Sequence, residues 1–394
     1  MSGGSRPVVV VGGGIGGVTA ALALIRIGRE VLVLERTAEP TDTGSGITLF
    51  PNAMGALDAI GVGRAIREAG APPPLGSSGM RLPDGRVVVD ASAVPAVADL
   101  QALHRADLHR ALREQLPPGI LRTGTEVTGV RDLGDRVEVE VTGGELVEAD
   151  LVVAADGLRS RIRTALYPDY PGPRYAGYTS WRGVTSGPVD VGGVAGETWG
   201  PGERFGILPL RDGRVYWFAV ANLPAGTRVE AHAEVRRRFG SWHPPIPALL
   251  TATAPDAVLS LDIHDLTLPL SPFARGRVAL LGDAAHGMTP DIGQGAGQAI
   301  EDAVVLAAAL AELPAPEALA HYDQERRPRT TSIVTAARRT GRFAQLHGTV
   351  PVALRTLVMR LTPPAASLRL VRRITAWTPP RLPERPAPPD VTSR

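Results

Sequence analysis

Two groups of residues in this sequence have types and spacings suited to chemistry. The first is Gly12-x-Gly14-x-x-Gly17 in "VVVVGGGIGG", answered by Glu35 at the end of the next apolar run, "EVLVLER". Between a strand and a helix, the first glycine permits a tight turn, the second lets a pyrophosphate approach the backbone, and the third lets helix and strand pack closely. Ile15 opens the helix whose N-terminal amides would face the phosphates, and Glu35 is placed for a ribose 2′-hydroxyl. The second group is "RVALLGDAAHGMTPDIGQGAGQAIEDAVVLAAAL", residues 277–310. An apolar run ends at Asp283, a loop carries His286, Pro290 and Asp291, and Gly293, Gly295 and Ala296 lead into an alanine-rich helix. An acid at a strand end can hold a second ribose or a ribityl chain, and loop amides at a helix start can meet a ring bearing negative charge. A simple nicotinamide-binding domain has no use for such a loop so far downstream, whereas a long dinucleotide threaded through the whole domain does.

Composition removes other chemistries. All 42 basic residues are arginine, set against 40 acids, and cysteine is absent. Without lysine there is no Schiff base, no P-loop lysine and no Tyr-Lys dehydrogenase pair. Without cysteine there is no redox dithiol, thiolate metal site or thiol nucleophile. Charge is nearly balanced and no run of five like charges occurs, so nothing suggests nucleic-acid binding. His264 and Asp265 lack a partner at metal-ligand spacing, and no metal is expected. The four valines before Gly12 read as a strand and not as a signal peptide. The apolar segment from Ala303 falls short of the roughly 20 residues that span a bilayer, so the expectation is a cytoplasmic protein without membrane insertion.

These residues must be positioned by a fold. Residues 8–36 read as a strand–helix–strand unit whose continuous apolar runs suit parallel strands covered on both faces. A helix near 52–70 is stopped by Pro72-Pro73-Pro74, and "ADLHRALREQL" has helical spacing. Val137, Val139 and Val141 alternate with charges in an antiparallel meander that leads to the buried-type strand "LVVAADG". From about 174 to 271 aromatic-rich strands form a second, mainly antiparallel unit before the chain returns to "RVALLGD". The fold class is therefore α/β: a Rossmann-like dinucleotide domain from 1–75, 100–173 and 272–345, an interleaved sheet domain from 76–99 and 174–271, and C-terminal helices with a Pro-rich tail over 346–394. The basic stretches "VALRTLVMRL" and "SLRLVRRITAW" read as packed or dimer-facing helices, with a membrane surface as the other reading.

Three motifs in order, "GGGIGG" with Glu35, "DGLRSRIR" from Asp156 and "GDAAHGMTPDIGQG" from Gly282, resemble the single-component class A flavin-dependent aromatic hydroxylases. The resemblance implies a para-hydroxybenzoate-hydroxylase-like fold, non-covalent FAD, NAD(P)H as transient reductant and O2 as co-substrate. It implies hydroxylation of an electron-rich aromatic or heteroaromatic ring through a flavin C4a-hydroperoxide. It assigns Asp283 to the ribityl or pyrophosphate region, and Gly293, Gly295 and Ala296, with Pro290, to the flavin ring. Arg105 would lie over the phosphates, Val127 against the adenine, Arg36 beside the adenosine, and Asp156 near both FAD and the nicotinamide donor. On the residues alone, a capping aspartate at a strand-to-helix turn is the other reading of Asp156. With a single Gly-x-Gly-x-x-Gly fingerprint, NAD(P)H needs no domain of its own. Many members carry an arginine before the Gly-x-Gly-Ile stretch; here Asp42, Thr43, Gly44, Ser45, Gly46 and Ile47 stand there.

The substrate side looks most like the urate- and hydroxynicotinate-type hydroxylases. It would be formed by Arg204, Phe205 and Tyr216 of the sheet with Pro290 and Asp291 of the loop. Arg204 would pair an anion, Tyr216 would bond a ring oxygen, and Asp291 would act as base or orient one. Three plainer readings stay open: Arg204 on the surface, Tyr216 in packing, Asp291 as a helix cap. His286 reads as a structural hydrogen-bonder. The partner expected is a small aromatic or heteroaromatic molecule, the assembly a monomer or homodimer. An epoxidase or tailoring monooxygenase of a larger polyketide or isoprenoid is the alternative function, and a non-catalytic flavin-binding regulator a further one. A halogenase is disfavoured, since its lysine and Trp-x-Trp-x-Ile-Pro segment are missing.

Overall fold

A computed structural model describes residues 6–39, 45–72, 77–90, 100–362, 369, 371–372 and 374–383. The expectations for Asp42–Gly44, Pro73, Pro74, 91–99 and the tail beyond 383 lie outside the described residues.

The strand Val8–Val11 is buried at every position because it lies inside a six-stranded sheet. The order is 274–275, 278–280, 151–154, 8–11, 31–34 and 121–122. All neighbours are parallel except the first pair. Continuous valine and leucine runs suit strands covered on both faces. The helices Ile15–Arg26 and Gly295–Glu312 pack together, their glycines and alanines allowing close approach. Val137, Val139 and Val141 of the meander join the same core, as their alternation requires.

A second sheet has seven strands, ordered 259–266, 173–184, 215–222, 203–209, 194–199, 77–81 and 87–90. Its two faces differ. Trp181, Phe205, Ile207 and Trp217 form an apolar core with the helices Ala231–Phe239 and Ile246–Thr251. The register places Tyr178, Arg182, Glu197, Trp199, Arg204, Tyr216 and Phe218 on the other face. That face turns toward the first domain, where Gly46 lies so close to Tyr216 that a Cβ would come within 2.4 Å of the ring. The 30-residue helix Ala315–Ala344 packs along Gly295–Glu312 and reaches the loop at 290–292. Among the described residues no helix is long and apolar enough to cross a membrane. None of their His, Asp and Glu groups is arranged to hold a metal ion.

Candidate active site

An open cleft of about 920 Å³ runs between the glycine turn and the helix Arg105–Arg113, lined by Gly13, Gly14, Ile15, Glu35, Arg105 and His109 among others. The three fingerprint glycines serve three different needs. Gly12 has φ +105°, and a Cβ there would meet the Ala155 carbonyl at 2.4 Å. At Gly17 a Cβ would lie 1.9 Å from the Gly12 oxygen, so helix and turn touch through bare backbone. Gly14 has φ −73° and nothing within 4 Å of a Cβ, leaving its backbone open to the cleft. Glu35 accepts from Gly13 N at 2.6 Å and Thr37 N at 2.8 Å. Burial pushes its carboxyl up, but these amides outweigh that and hold it below its ordinary value. His109 Nε2 lies 2.6 Å from the Gly13 carbonyl and therefore donates to it. Burial lowers the His109 pKa, which keeps the ring neutral while it braces the turn.

Arg105 projects into the cleft. Its packing against protein lowers its pKa, opposed by the charge of Asp283. Asp283 is exposed at the start of the turn that follows Val278–Leu280. Asp156 Oδ2 accepts from Ile162 N at 3.2 Å, so the capping role is real, yet Ser160 is the N-cap proper and Asp156 Oδ1 is buried without a partner. Gly293 is left-handed (φ +64°), and Gly295 opens its helix with no neighbour nearer than 4.0 Å to a Cβ. An open glycine backbone, a cation lining the same cleft, two acids with free oxygens and an uncapped helix start fit the pyrophosphate, ribityl chain and ring of FAD in turn. Arg36 sits exposed beside Glu35. Val127, by contrast, lies in the core, and Thr123 lines the cleft instead.

Behind the loop lies a buried polar lattice. Asp302 Oδ2 accepts from Gly282 N at 2.9 Å and His286 Nε2 at 2.6 Å, and its Oδ1 from Arg326 at 2.6 Å. Glu301 accepts from Asn52, Gln298, Arg326 and Arg329. Burial raises the Asp302 carboxyl, but His286 and Arg326 dominate and push it down to about 2. His286 thus points away from the cleft and fixes the loop from behind.

In front of the loop, Asp291 joins it to the seven-stranded sheet. Its Oδ1 accepts from Arg204 at 2.6 Å and its Oδ2 from the Tyr178 hydroxyl at 2.7 Å. The carboxylate is fully covered and presses on Gly341, where a Cβ would come within 2.4 Å of it. Arg204, only 2 % exposed, also bonds Gln345 at 3.0 Å and faces Glu197 at 3.6 Å. Burial works against its charge, but Glu197 and Asp291 more than compensate and raise its pKa. Burial, with the charge of Asp291, raises the Tyr178 pKa far above the ordinary tyrosine range.

Of the sequence-derived substrate residues, Arg204 and Asp291 meet, with Pro290 exposed at the same turn. Phe205 is a correction: it is wholly buried on the opposite face, stacked 5.5 Å from Trp217, because neighbours on a strand point apart. Tyr216 packs with Val184, Leu210 and Phe218, feels the charges of Arg105 and Arg182, and makes no bond to Asp291. Arg204 is not on the surface, and Asp291 is a hub with both oxygens engaged. The structure adds Tyr178, Gly341 and the Glu301–Asp302–Arg326 lattice to these residues. Polar positions 294, 298, 301 and 302, spaced along one face of an alanine-rich helix, are the signal for the lattice.

A glycine turn, Glu35 and Arg105 lining one cleft, Asp283 near enough for its charge to act on Arg105, and a loop acid locked to an antiparallel sheet match a flavin-dependent hydroxylase architecture. The chain belongs to the FAD binding domain family, whose model matches residues 5–337. It is 40% identical over 364 residues to the aurachin C monooxygenase/isomerase of Stigmatella aurantiaca, covering 90% of this chain and 94% of that one. It is 35% identical over 344 residues to the FAD-dependent urate hydroxylase of Klebsiella pneumoniae, covering 84% and 88%. The crystal structure of K. pneumoniae HpxO complexed with FAD and uric acid is similar with a TM-score of 0.86 at 30% identity, covering 95% and 97%. The protein is an FAD-dependent monooxygenase that draws on O2 and a nicotinamide donor.

Proposed function

We propose that the substrate is an electron-rich aromatic or heteroaromatic molecule held between the loop 290–296 and the polar face of the seven-stranded sheet. The observation that carries this reading is the Asp291 junction, which fixes loop and sheet to each other through Arg204 and Tyr178. FAD, when bound, accepts a hydride from NAD(P)H and activates O2 for transfer of one oxygen atom to the ring. Gly12, Gly14, Ile15 and Gly17 would hold its pyrophosphate, Glu35 its ribose with Arg36 at the rim, Arg105 its phosphate charge, and Asp156 and Asp283 its ribityl side. Gly293, Gly295 and Ala296 would present backbone amides to the ring.

On the substrate side, Tyr216 and Phe218 supply an apolar wall that excludes water. Tyr178 donates its proton to Asp291 and meets the Thr289 hydroxyl, which leaves one lone pair of its oxygen to accept from an acidic O–H or N–H of the substrate. A proton leaving the ring would pass through Tyr178 to Asp291, raising the nucleophilicity of the ring. Arg204 is already balanced by Asp291 and Glu197, so it orients this relay and gives no net attraction to an anion. Selection therefore rests on ring shape and one acidic hydrogen. A larger natural product is the second reading, favoured by the 40% identity to an aurachin C monooxygenase/isomerase. We place the reaction in the cytoplasm, where NAD(P)H is regenerated.

The test is oxygen uptake and NAD(P)H oxidation by the FAD-loaded enzyme with hydroxybenzoates, uric acid and fused-ring heteroaromatics bearing alkyl chains. One class is expected to stimulate both rates and yield its hydroxylated product in equal amount. Stimulation by alkylated fused rings alone selects the second reading, and no stimulation by any aromatic sinks both.

A further inference from the structure

The helix Thr349–Leu361 carries an unpartnered apolar face. Val350 is 77 % exposed, Leu354 59 %, Leu357 52 %, Val358 45 % and Leu361 70 %. At about 100° per residue these five fall within one arc of roughly 100°. Val87, also exposed, lies on the edge strand against which the helix packs. Scattered single hydrophobics are ordinary on protein surfaces, whereas five large ones in one stripe mark an interaction site.

The opposite side of the helix is anchored. Arg355 is 1 % exposed and donates to the carbonyls of Ala344 at 2.6 Å and Gly200 at 3.0 Å, its guanidinium over Trp199. The stripe is therefore held outward. Charge identifies its occupant. From Thr349 to Pro383 the sequence contains no acid and six arginines: Arg355, Arg360, Arg369, Arg372, Arg373 and Arg381. Arg360 flanks the stripe, and Arg360, Arg369, Arg372 and Arg381 are exposed. Pairing two copies helix to helix would bring arginines and no acids together. An anionic lipid surface complements both features, taking the leucines and valines at the headgroup–acyl boundary and Arg360 among the headgroups.

We propose that the helix Thr349–Leu361 docks this enzyme peripherally on anionic membranes. Surface geometry and charge alone support this docking, whatever the substrate. The test is vesicle flotation of the full-length, FAD-loaded enzyme with phosphatidylcholine vesicles, with or without phosphatidylglycerol. Binding is expected only with phosphatidylglycerol, weakening as salt rises. The double variant Leu354→Gln/Leu357→Gln should lose binding with its flavin absorbance and melting temperature unchanged, since both side chains are exposed. Arg360→Gln should weaken binding several-fold. The proposal is overturned by absence of binding to phosphatidylglycerol, by equal binding to neutral vesicles, or by a stable dimer that Leu357→Cys cross-links across this face.

Discussion

The loop 282–298 separates two polar regions built on opposite terms. Behind it, the carboxylates of Asp302 and Glu301 are saturated by His286, Arg326, Arg329, Asn52, Gln298 and a backbone amide. In front, Gly14 lies open, Asp283 is exposed and Asp156 keeps a buried oxygen without a partner. A buried charge persists only when protein groups pair it; a group left unpaired in a cleft is suited to a partner that is not protein. Acids of the same type thus divide into a frame and a site, and what distinguishes them is whether their hydrogen-bonding capacity is spent.

The largest effect should come from breaking the frame. Arg326→Met leaves Glu301 and Asp302 buried with a lost counter-charge, at a cost of about 3–5 kcal/mol. Chemical denaturation of the flavin-free protein measures it, so that flavin affinity does not enter the midpoint. Asp283→Asn, on the cleft side, should leave the denaturation midpoint in place and weaken flavin binding. A midpoint shift equal to that of Arg326→Met would dissolve the distinction between frame and site.

Acid should act on the frame next. The Asp302 carboxyl lies at about 2 in the folded chain against an ordinary 3.8, so its contribution is complete above about pH 4 and is lost as pH falls toward 2. The difference corresponds to about 2 kcal/mol. Stability measured from pH 5 to 2 should fall less steeply for Asp302→Asn, which starts lower because His286 and Arg326 lose their charged acceptor. Parallel profiles would contradict this.

Gly14→Ala probes the site with the frame untouched. Its φ of −73° suits alanine and a Cβ meets nothing, so melting of the flavin-free protein should not move. The methyl group stands where a pyrophosphate must approach, and flavin affinity should drop about tenfold, or 1.4 kcal/mol. Unchanged affinity in a fluorescence titration would remove Gly14 from the cofactor cleft.

How much of this was legible in the sequence follows from the range of each contact. The roles of Gly12 and Gly17 are local, written into one turn and its helix, and the continuous valine runs carry their own sheet position. Arg204 and Phe205 are adjacent, and the two-residue period alone separates them onto opposite faces; treating them as one pocket overlooked it. Tyr178 was harder. It meets Asp291 across 113 residues, and only the sheet register shows that it shares a face with Arg204. The lattice couples residues 52, 286, 301, 302, 326 and 329, a convergence that no local pattern contains.

Tyr178→Phe sharpens the comparison at its weakest point, because the Asp291 hub joins frame-like burial to a place beside the substrate. Removing the hydroxyl deletes the 2.7 Å bond to Asp291 and should cost about 1 kcal/mol of stability, the worth of one hydrogen bond. Were Tyr178 only frame, kcat and KM would stay put once folding is accounted for. The proposed relay requires more: kcat should fall while KM changes little, since ionisation of the ring is assisted in the reaction and not in binding. The pH profile of kcat should also shift upward, because bulk base must replace the route through Tyr178 to Asp291. A variant that is merely less stable, with wild-type kcat at every pH, would assign Asp291 and Tyr178 to the frame and leave Tyr216, Phe218 and Arg182 as the residues through which the sheet meets its substrate.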